Sequence, residues 1–179
     1  MEKIYEVFCT MISVAIVGPE STGKSTLTKS LSEHYQTIWS EEYAREYLTA
    51  LERPYEQSDL LEIAKGQLEI ADKVTMKSNS IVFHDTDLLV IKVWSEFKYG
   101  DCDPWIIKQF ELNKADLYLL TDFNIPYEED PLRENPEQRR ELFEIYQQEL
   151  IKSGANYQIV KGDLPNRLNQ SVGYINLMR

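Results

Sequence analysis

The sequence predicts an α/β fold of three layers, a five-stranded parallel sheet with helices on both faces. Three observations carry this. Apolar runs of strand length alternate with segments of helical period along the chain. A glycine-bearing turn stands between the first strand and the first helix. Polar clusters follow the strands, where open α/β sheets receive ligands.

Taken in order, Ile12-Ser13-Val14-Ala15-Ile16-Val17 is the first strand and leads into Gly18-Pro19-Glu20-Ser21-Thr22-Gly23-Lys24-Ser25, which fits G-x-x-x-x-G-K-[ST]. A helix over 26–35, with Leu27 and Leu31 at helical spacing, leaves the turn, so backbone N–H groups and the helix N-terminus converge on one anion. Gly18 and Gly23 permit close approach and positive φ. Lys24 is expected to reach the β- and γ-phosphates of ATP and Ser25 to ligate Mg²⁺. Glu20, Ser21, Thr22 and Thr26 complete the expected nucleotide contact.

Thr37-Ile38-Trp39 reads as the second strand, and the cluster Ser40 to Arg45 follows it. Glu42, Tyr43 and Arg45 are candidates for contact with a phosphoryl acceptor, whereas Glu41 reads as a solvated first-turn residue of a helix running to Leu51. Arg53-Pro54 breaks that helix. Ser58 is expected to cap the next, over 59–76. Inside it, Gly66 costs about 1 kcal/mol against alanine and points to close packing, while Gln67 is a candidate acceptor contact.

Residues 80–87 read as the third strand with two carboxylates at its end, Asp85 expected to assist Mg²⁺ and Asp87 to cap the following helix, to meet the acceptor, or both. His84 has no partners at metal-ligand spacing. On the helix from Leu88, Trp94 and Tyr99 either wall a slot for a flat heterocycle or pack against the next helix. Gly100 caps it and Asp103-Pro104-Trp105 opens another, to about Asn113.

Asn113-Lys114-Ala115-Asp116 imitates the guanine-reading N-K-x-D motif but precedes a strand, 115–121, instead of following one, which argues against a GTPase. The connection 122–135 is long for a compact domain and carries two prolines and Arg133, the pattern of a lid of about 122–140. Asn135-Pro136-Glu137-Gln138 is expected to start a capped helix, with Arg139 and Arg140 in its first turn, where cations oppose the dipole and suggest a phosphate partner. That helix ends near Gly154, 157–160 is the fifth strand, and 164–177 has helical periodicity.

The chain has 179 residues, consistent with one domain over 11–179 and a short extension, 1–10. A net charge of −11 argues against a nucleic-acid surface. Two cysteines, Cys9 and Cys102, without C-x-x-C spacing suggest neither disulfides nor zinc and fit a reducing cytoplasm. Met1 to Thr10 resembles neither a signal peptide nor a membrane span.

Four motifs in this order, Gly-Pro-Glu-Ser-Thr-Gly-Lys-Ser-Thr-Leu at 18–27, Glu-Tyr-Ala-Arg-Glu-Tyr-Leu at 42–48, Ile-Ala-Lys-Gly-Gln at 63–67 and Asp-Thr-Asp at 85–87, resemble the ribosylnicotinamide kinase domain of NadR-type proteins. The resemblance implies a P-loop kinase fold and ATP-dependent phosphorylation of the 5′-hydroxyl of nicotinamide riboside, with Mg²⁺, giving nicotinamide mononucleotide. It implies that Lys24 and the turn hold ATP, that Ser25 and Asp85 organise Mg²⁺ and that Arg133 and Arg139 close over the phosphates. Glu42 or Asp87 would then orient or deprotonate the acceptor, and Trp94 or Tyr99 would stack on its ring. Room for a DNA-binding region or a nucleotidyltransferase domain, and an H-x-G-H motif, are not expected here. A regulatory ATPase, or a kinase for another nucleoside or small alcohol, stays open beside this reading.

Overall fold

The computed structural model describes residues 11–179; the expected 1–10 extension, with Cys9, lies outside them. The elements are β1 Ile12–Val17, α1 Lys24–Tyr35, β2 Trp39–Ser40, α2 Tyr43–Ala50, α3 Gln57–Thr75, β3 Ile81–Asp85, α4 Leu88–Tyr99, α5 Pro104–Leu112, β4 Leu117–Thr121, α6 Arg139–Lys152, β5 Tyr157–Val160 and α7 Leu164–Asn176. All five strands are parallel, in the order β2-β3-β1-β4-β5. The expected three-layer architecture is therefore the observed one.

β1 sits at the centre, and the chain winds to one side through β2 and β3 and to the other through β4 and β5. Being covered on both faces, β1 is apolar almost throughout, and Val14, Ala15, Ile16 and Val17 are wholly buried. One face packs on α1 and α7 through Leu27, Leu31 and Ile175. The other packs on α3 to α6 through residues such as Leu60, Ile91, Ile106 and Leu150. The register Ile16 to Asp85 and Val17 to Leu120 brings the carboxyl ends of β1, β3 and β4 to one rim. The glycine-bearing turn and Asp85 thus meet there because the strands are in step.

Among the boundaries that differ from expectation, three have a visible local reason. β2 starts at Trp39 because Thr37 instead donates its hydroxyl to the Ile81 carbonyl at 2.7 Å. α3 is capped by Glu56 and not Ser58: the Asp59 carboxylate accepts from the Glu56 N–H at 2.7 Å, completing a capping box. α6 starts at Arg139, since Asn135 commits its side chain elsewhere and Gln138 gives no side-chain cap. Lys92, buried on α4, ties that helix to α6 through Glu149 at 2.6 Å and pairs with Glu96 at 2.7 Å.

Asp59 also accepts two hydrogen bonds from Arg53, each 2.8 Å, and one from the Tyr47 hydroxyl, 2.8 Å. The guanidinium, then the Glu56 N–H, hold its carboxyl well below the usual range. A carboxyl depressed in the folded state stabilises above its unfolded pKa, about 3.9, and that contribution is lost as pH falls below it. Urea midpoints measured between pH 6 and 3 are expected to fall more steeply for the wild type than for Asp59→Asn, which is already weaker at pH 6. Equal slopes would remove this role.

Candidate active site

The turn after β1 is built by close approach. A Cβ at Gly18, whose φ is +138°, would lie 2.5 Å from Thr121 Oγ1 and 3.0 Å from the Thr121 carbonyl, so only glycine lets the turn leave β1 beside β4. The buried Thr22 hydroxyl donates to the Pro19 carbonyl at 2.7 Å and lies 2.7 Å from Thr121 Oγ1. Gly23, left-handed with φ 72°, stands at the N-cap of α1. Lys24 folds back over the turn, its Nζ donating to the carbonyls of Gly18 at 3.1 Å and Pro19 at 2.8 Å.

Behind the turn lies Asp85, 5% exposed, with Oδ1 buried and without a hydrogen-bond partner among the described residues. Burial pushes its pKa up to about 6; the Ser25 hydroxyl pulls against this and the Glu42 charge adds to it. A buried carboxylate oxygen with no donor, beside a hydroxyl, suits a hard cation that completes its shell with water and phosphate oxygens. Among the described residues no cluster of three or more His, Cys, Asp or Glu could cage a metal without such help.

Thr86, left-handed at φ 79°, then turns the chain and sends the two carboxylates apart. Asp87 accepts from the Leu89 N–H at 3.0 Å, capping α4 as expected, and from the buried Tyr118 hydroxyl at 2.8 Å. Loss of water around it raises its pKa to about 6. Asp87 therefore opens on a smaller cavity on the α3 side and not on the wall of the main one.

The main cavity, about 360 Å³, begins along Gly18 to Thr26 and passes Glu42, Arg45 and Arg133. Its wall also takes in Ala44, Leu48, Val90, Trp94, Leu142 and Tyr146, a largely apolar group, together with Glu42. Trp94 is on its wall, and Phe97, two residues before Tyr99, is there where Tyr99 is not. Tyr99 instead packs against the core of the α3 to α6 layer.

Tyr43 and Gln67, both expected at the acceptor, do not reach this wall. The Tyr43 ring fills the space over Gly66, where a Cβ would come within 2.0 Å of it, so Gly66 serves packing. Gln67, buried, accepts from the Tyr43 N–H at 2.8 Å and donates to the Glu41 carbonyl at 3.1 Å. It aims the start of α2, and with it Glu42 and Arg45, at the cavity.

Residues 122–138 run over the turn as a strap. The Ser21 hydroxyl accepts from the Glu128 N–H at 2.8 Å and from Arg133 at 3.2 Å, and Arg45 pairs with Asp130 at 2.8 Å. Arg139 braces the turn from outside the cavity, donating to the Ser21 carbonyl at 3.3 Å and the Ile125 carbonyl at 3.0 Å. Arg140 pairs with Glu144 on the α6 surface. Sequence reasoning passed over Arg167. This buried guanidinium of α7 donates to the Gly162 carbonyl at 2.7 Å, the Asp122 carbonyl at 2.8 Å and the Thr22 carbonyl. Its sequence signal is faint, one cation in an amphipathic last helix. The N-K-x-D lookalike is at the opposite end of the sheet, where Asp116 accepts from the Ser13 N–H and hydroxyl, each 2.8 Å.

A strand, a glycine-lined turn and a helix that converge on one anion, set on a parallel sheet, define a P-loop nucleotide-binding domain. Residues 13–167 match the model of the AAA domain family, and the chain belongs to that family. It is 32% identical over 125 residues to the trifunctional NAD biosynthesis/regulator protein NadR of Salmonella typhimurium, a match taking in 68% of this chain and 30% of that protein. The chain thus spans under a third of that curated relative. A crystal structure of NadR protein in complex with NR superposes with a TM-score of 0.75 and 25% identity, over 92% of this chain and 50% of that one. Thymidylate kinase from Ehrlichia chaffeensis shares the fold, with a TM-score of 0.69 and 12% identity, over 92% and 98% of the two chains. The likeness to NadR-type proteins read from four motifs is borne out. No helix among the described residues is long and apolar enough to cross a membrane.

Proposed function

We propose that this chain is an ATP-dependent nicotinamide riboside kinase, transferring the γ-phosphoryl group to the ribose 5′-hydroxyl to give nicotinamide mononucleotide for NAD synthesis. One observation carries the reading: a single cavity of about 360 Å³ is lined by the phosphate-binding turn, by an apolar, aromatic group of side chains and by the carboxylate-bearing Glu42. Such a pocket suits a flat cationic ring at one end and a hydroxyl facing the phosphates at the other. The NadR protein whose structure holds NR supports the choice of acceptor.

In this reading residues 11–179 act as one kinase domain with 122–140 as its lid. The backbone N–H groups of 18–26 and Lys24 bind the triphosphate. Ser25 and the unpartnered Asp85 oxygen would hold Mg²⁺, which when bound neutralises charge on the phosphoryl oxygens. Arg133, on the cavity wall, takes the γ-phosphoryl charge, and Arg139 positions the turn from behind it. Glu42 accepts the proton of the acceptor hydroxyl. It is favoured over Asp87 because Glu42 lines the cavity, whereas Asp87 does not and is engaged by Tyr118 and Leu89. Trp94 and Tyr146 flank the ring, and the lid excludes water so that the acceptor is not bypassed.

ATP consumption measured with nicotinamide riboside, with other nucleosides and with no acceptor tests the reading. Stimulation by nicotinamide riboside well above the others is expected. Turnover that no acceptor alters would indicate an ATPase module, and preference for a different nucleoside would move the specificity while keeping the chemistry.

A further inference from the structure

Glu20 presents a physical problem. A carboxylate in a turn that binds polyanions opposes its own ligand, so its presence needs a separate reason. Its Oε1 accepts from the Glu134 N–H at 3.2 Å, the Asn135 N–H at 3.2 Å and the Asn135 side-chain amide at 2.8 Å. One anionic oxygen therefore holds the end of the strap by three donors, a charge-assisted arrangement stronger than neutral pairs.

Glu134 is gripped from the other side as well. The Glu134 carboxylate accepts from the Tyr55 hydroxyl at 2.6 Å and from Lys98 at 2.9 and 3.0 Å. That Tyr55 oxygen in turn accepts from Trp94 Nε1 at 2.9 Å, and the two rings stand edge-on at 5.0 Å. The Glu134 main chain thus faces the phosphate-binding turn while its side chain faces the wall that carries Trp94. Tyr55 stands in the 51–56 connection and Lys98 on α4, far in sequence from both the turn and the strap.

We propose that Glu134 and Asn135 are a two-sided latch, through which Glu20 and Tyr55 act as positioning residues that make closure of the strap depend on both substrate sites at once. The proposal rests on the kinase reading for its kinetic part and on the contacts alone for its structural part. Anything that orders Trp94, such as a ring stacked on it, steadies Tyr55 and thereby Glu134. Closure at Glu134 in turn seats the strap on the turn that holds the triphosphate. By reciprocity the nucleotide favours the acceptor site to the same extent.

Hydrogen exchange of the full chain without ligands, read on peptides from 122–138, tests the latch independently of catalysis. Glu20→Ala is expected to speed exchange there by roughly tenfold and Tyr55→Phe by a few-fold, with peptides of β1 and β4 unchanged. Glu20→Gln retains an acceptor oxygen without the charge and is expected to fall between the wild type and Glu20→Ala. In steady-state kinetics Tyr55→Phe, though on the acceptor side, is expected to raise KM for ATP as well as for nicotinamide riboside by a similar few-fold factor. Unchanged exchange in Glu20→Ala and Tyr55→Phe, or a Tyr55→Phe effect confined to the acceptor KM, overturns the latch. A wild type inactive on every acceptor sinks the kinase reading instead, and the exchange result still decides the latch.

Discussion

Lys24→Ala is expected to remove nearly all ATP turnover and leave the fold standing. The side chain is half-buried, makes no ion pair among the described residues and gives two of its three donors to neutral carbonyls of its own turn, Gly18 and Pro19. Stability should therefore change little, because surface contacts of this kind are worth a few tenths of a kcal/mol. Activity should fall by about 10²- to 10³-fold, the range seen when one preorganised donor to a developing charge is removed. Lys24 is one residue past Gly23, whose left-handed backbone starts α1, so its stem is fixed by the helix while its ammonium can swing from the carbonyls to a triphosphate. A coupled ATP assay beside a thermal melt separates the two quantities. Near-normal turnover would refute the assignment, and a large fall in Tm would show that the loss is structural.

Arg167→Ala is expected to be the most destabilising single change near the cavity. The guanidinium is 3% exposed, and burial lowers its pKa against the pull of Asp122, yet arginine stays charged. Its three carbonyl acceptors belong to the turn, to the exit of β4 and to the exit of β5, so one side chain holds three loops of the rim together. Truncation leaves those carbonyls without their charged donor, a loss of about 3 kcal/mol by the usual magnitude for buried charge-assisted bonds. Arg167→Lys should recover only part, because an ammonium cannot reproduce the planar fork. Urea unfolding measures the effect. A change under about 0.5 kcal/mol, typical of a surface site, would mean that the rim holds itself.

The two residues show why some of the site was readable and some was not. Lys24 belongs to an eight-residue pattern whose chemistry is local, so the sequence displays it whole. Arg167 acts on Thr22 across 145 positions, and nothing in the local pattern of α7 announces that partner. The same division runs through the fold. The central strands are legible because parallel strands covered on both faces become unbroken apolar runs, and Gly100 and Asp87 are legible because caps are short-range devices. Ser58 misled because serine is a common N-cap, whereas Glu56 wins here through Asp59, which Arg53 and Tyr47 hold in place.

Side-chain direction was the other hidden quantity. Asp85 and Asp87 are two residues apart, a spacing that in an extended strand would put both on one side. The positive φ of Thr86 separates them, one to the turn and one to Tyr118. Phe97 and Tyr99 differ by two steps around a helix, and only packing decides which one meets the cavity. Tyr43 and Gln67 lie in motifs that point to the acceptor, but the structure uses them to aim α2.

The buried ammonium that joins α4 to α6 sets a limit on motion. Because Lys92 bonds Glu149 and Leu150 is fully covered, α6 is a post anchored to α4 and the core, and the strap hangs between the tip of β4 and the first residue of that post. Leu142 and Tyr146 are mounted on the post and Val90 and Trp94 on its partner. The far chamber of the cavity is consequently framed by two helices pinned to each other, so the backbone beneath its walls is braced while the Trp94 ring remains free to respond to what it touches.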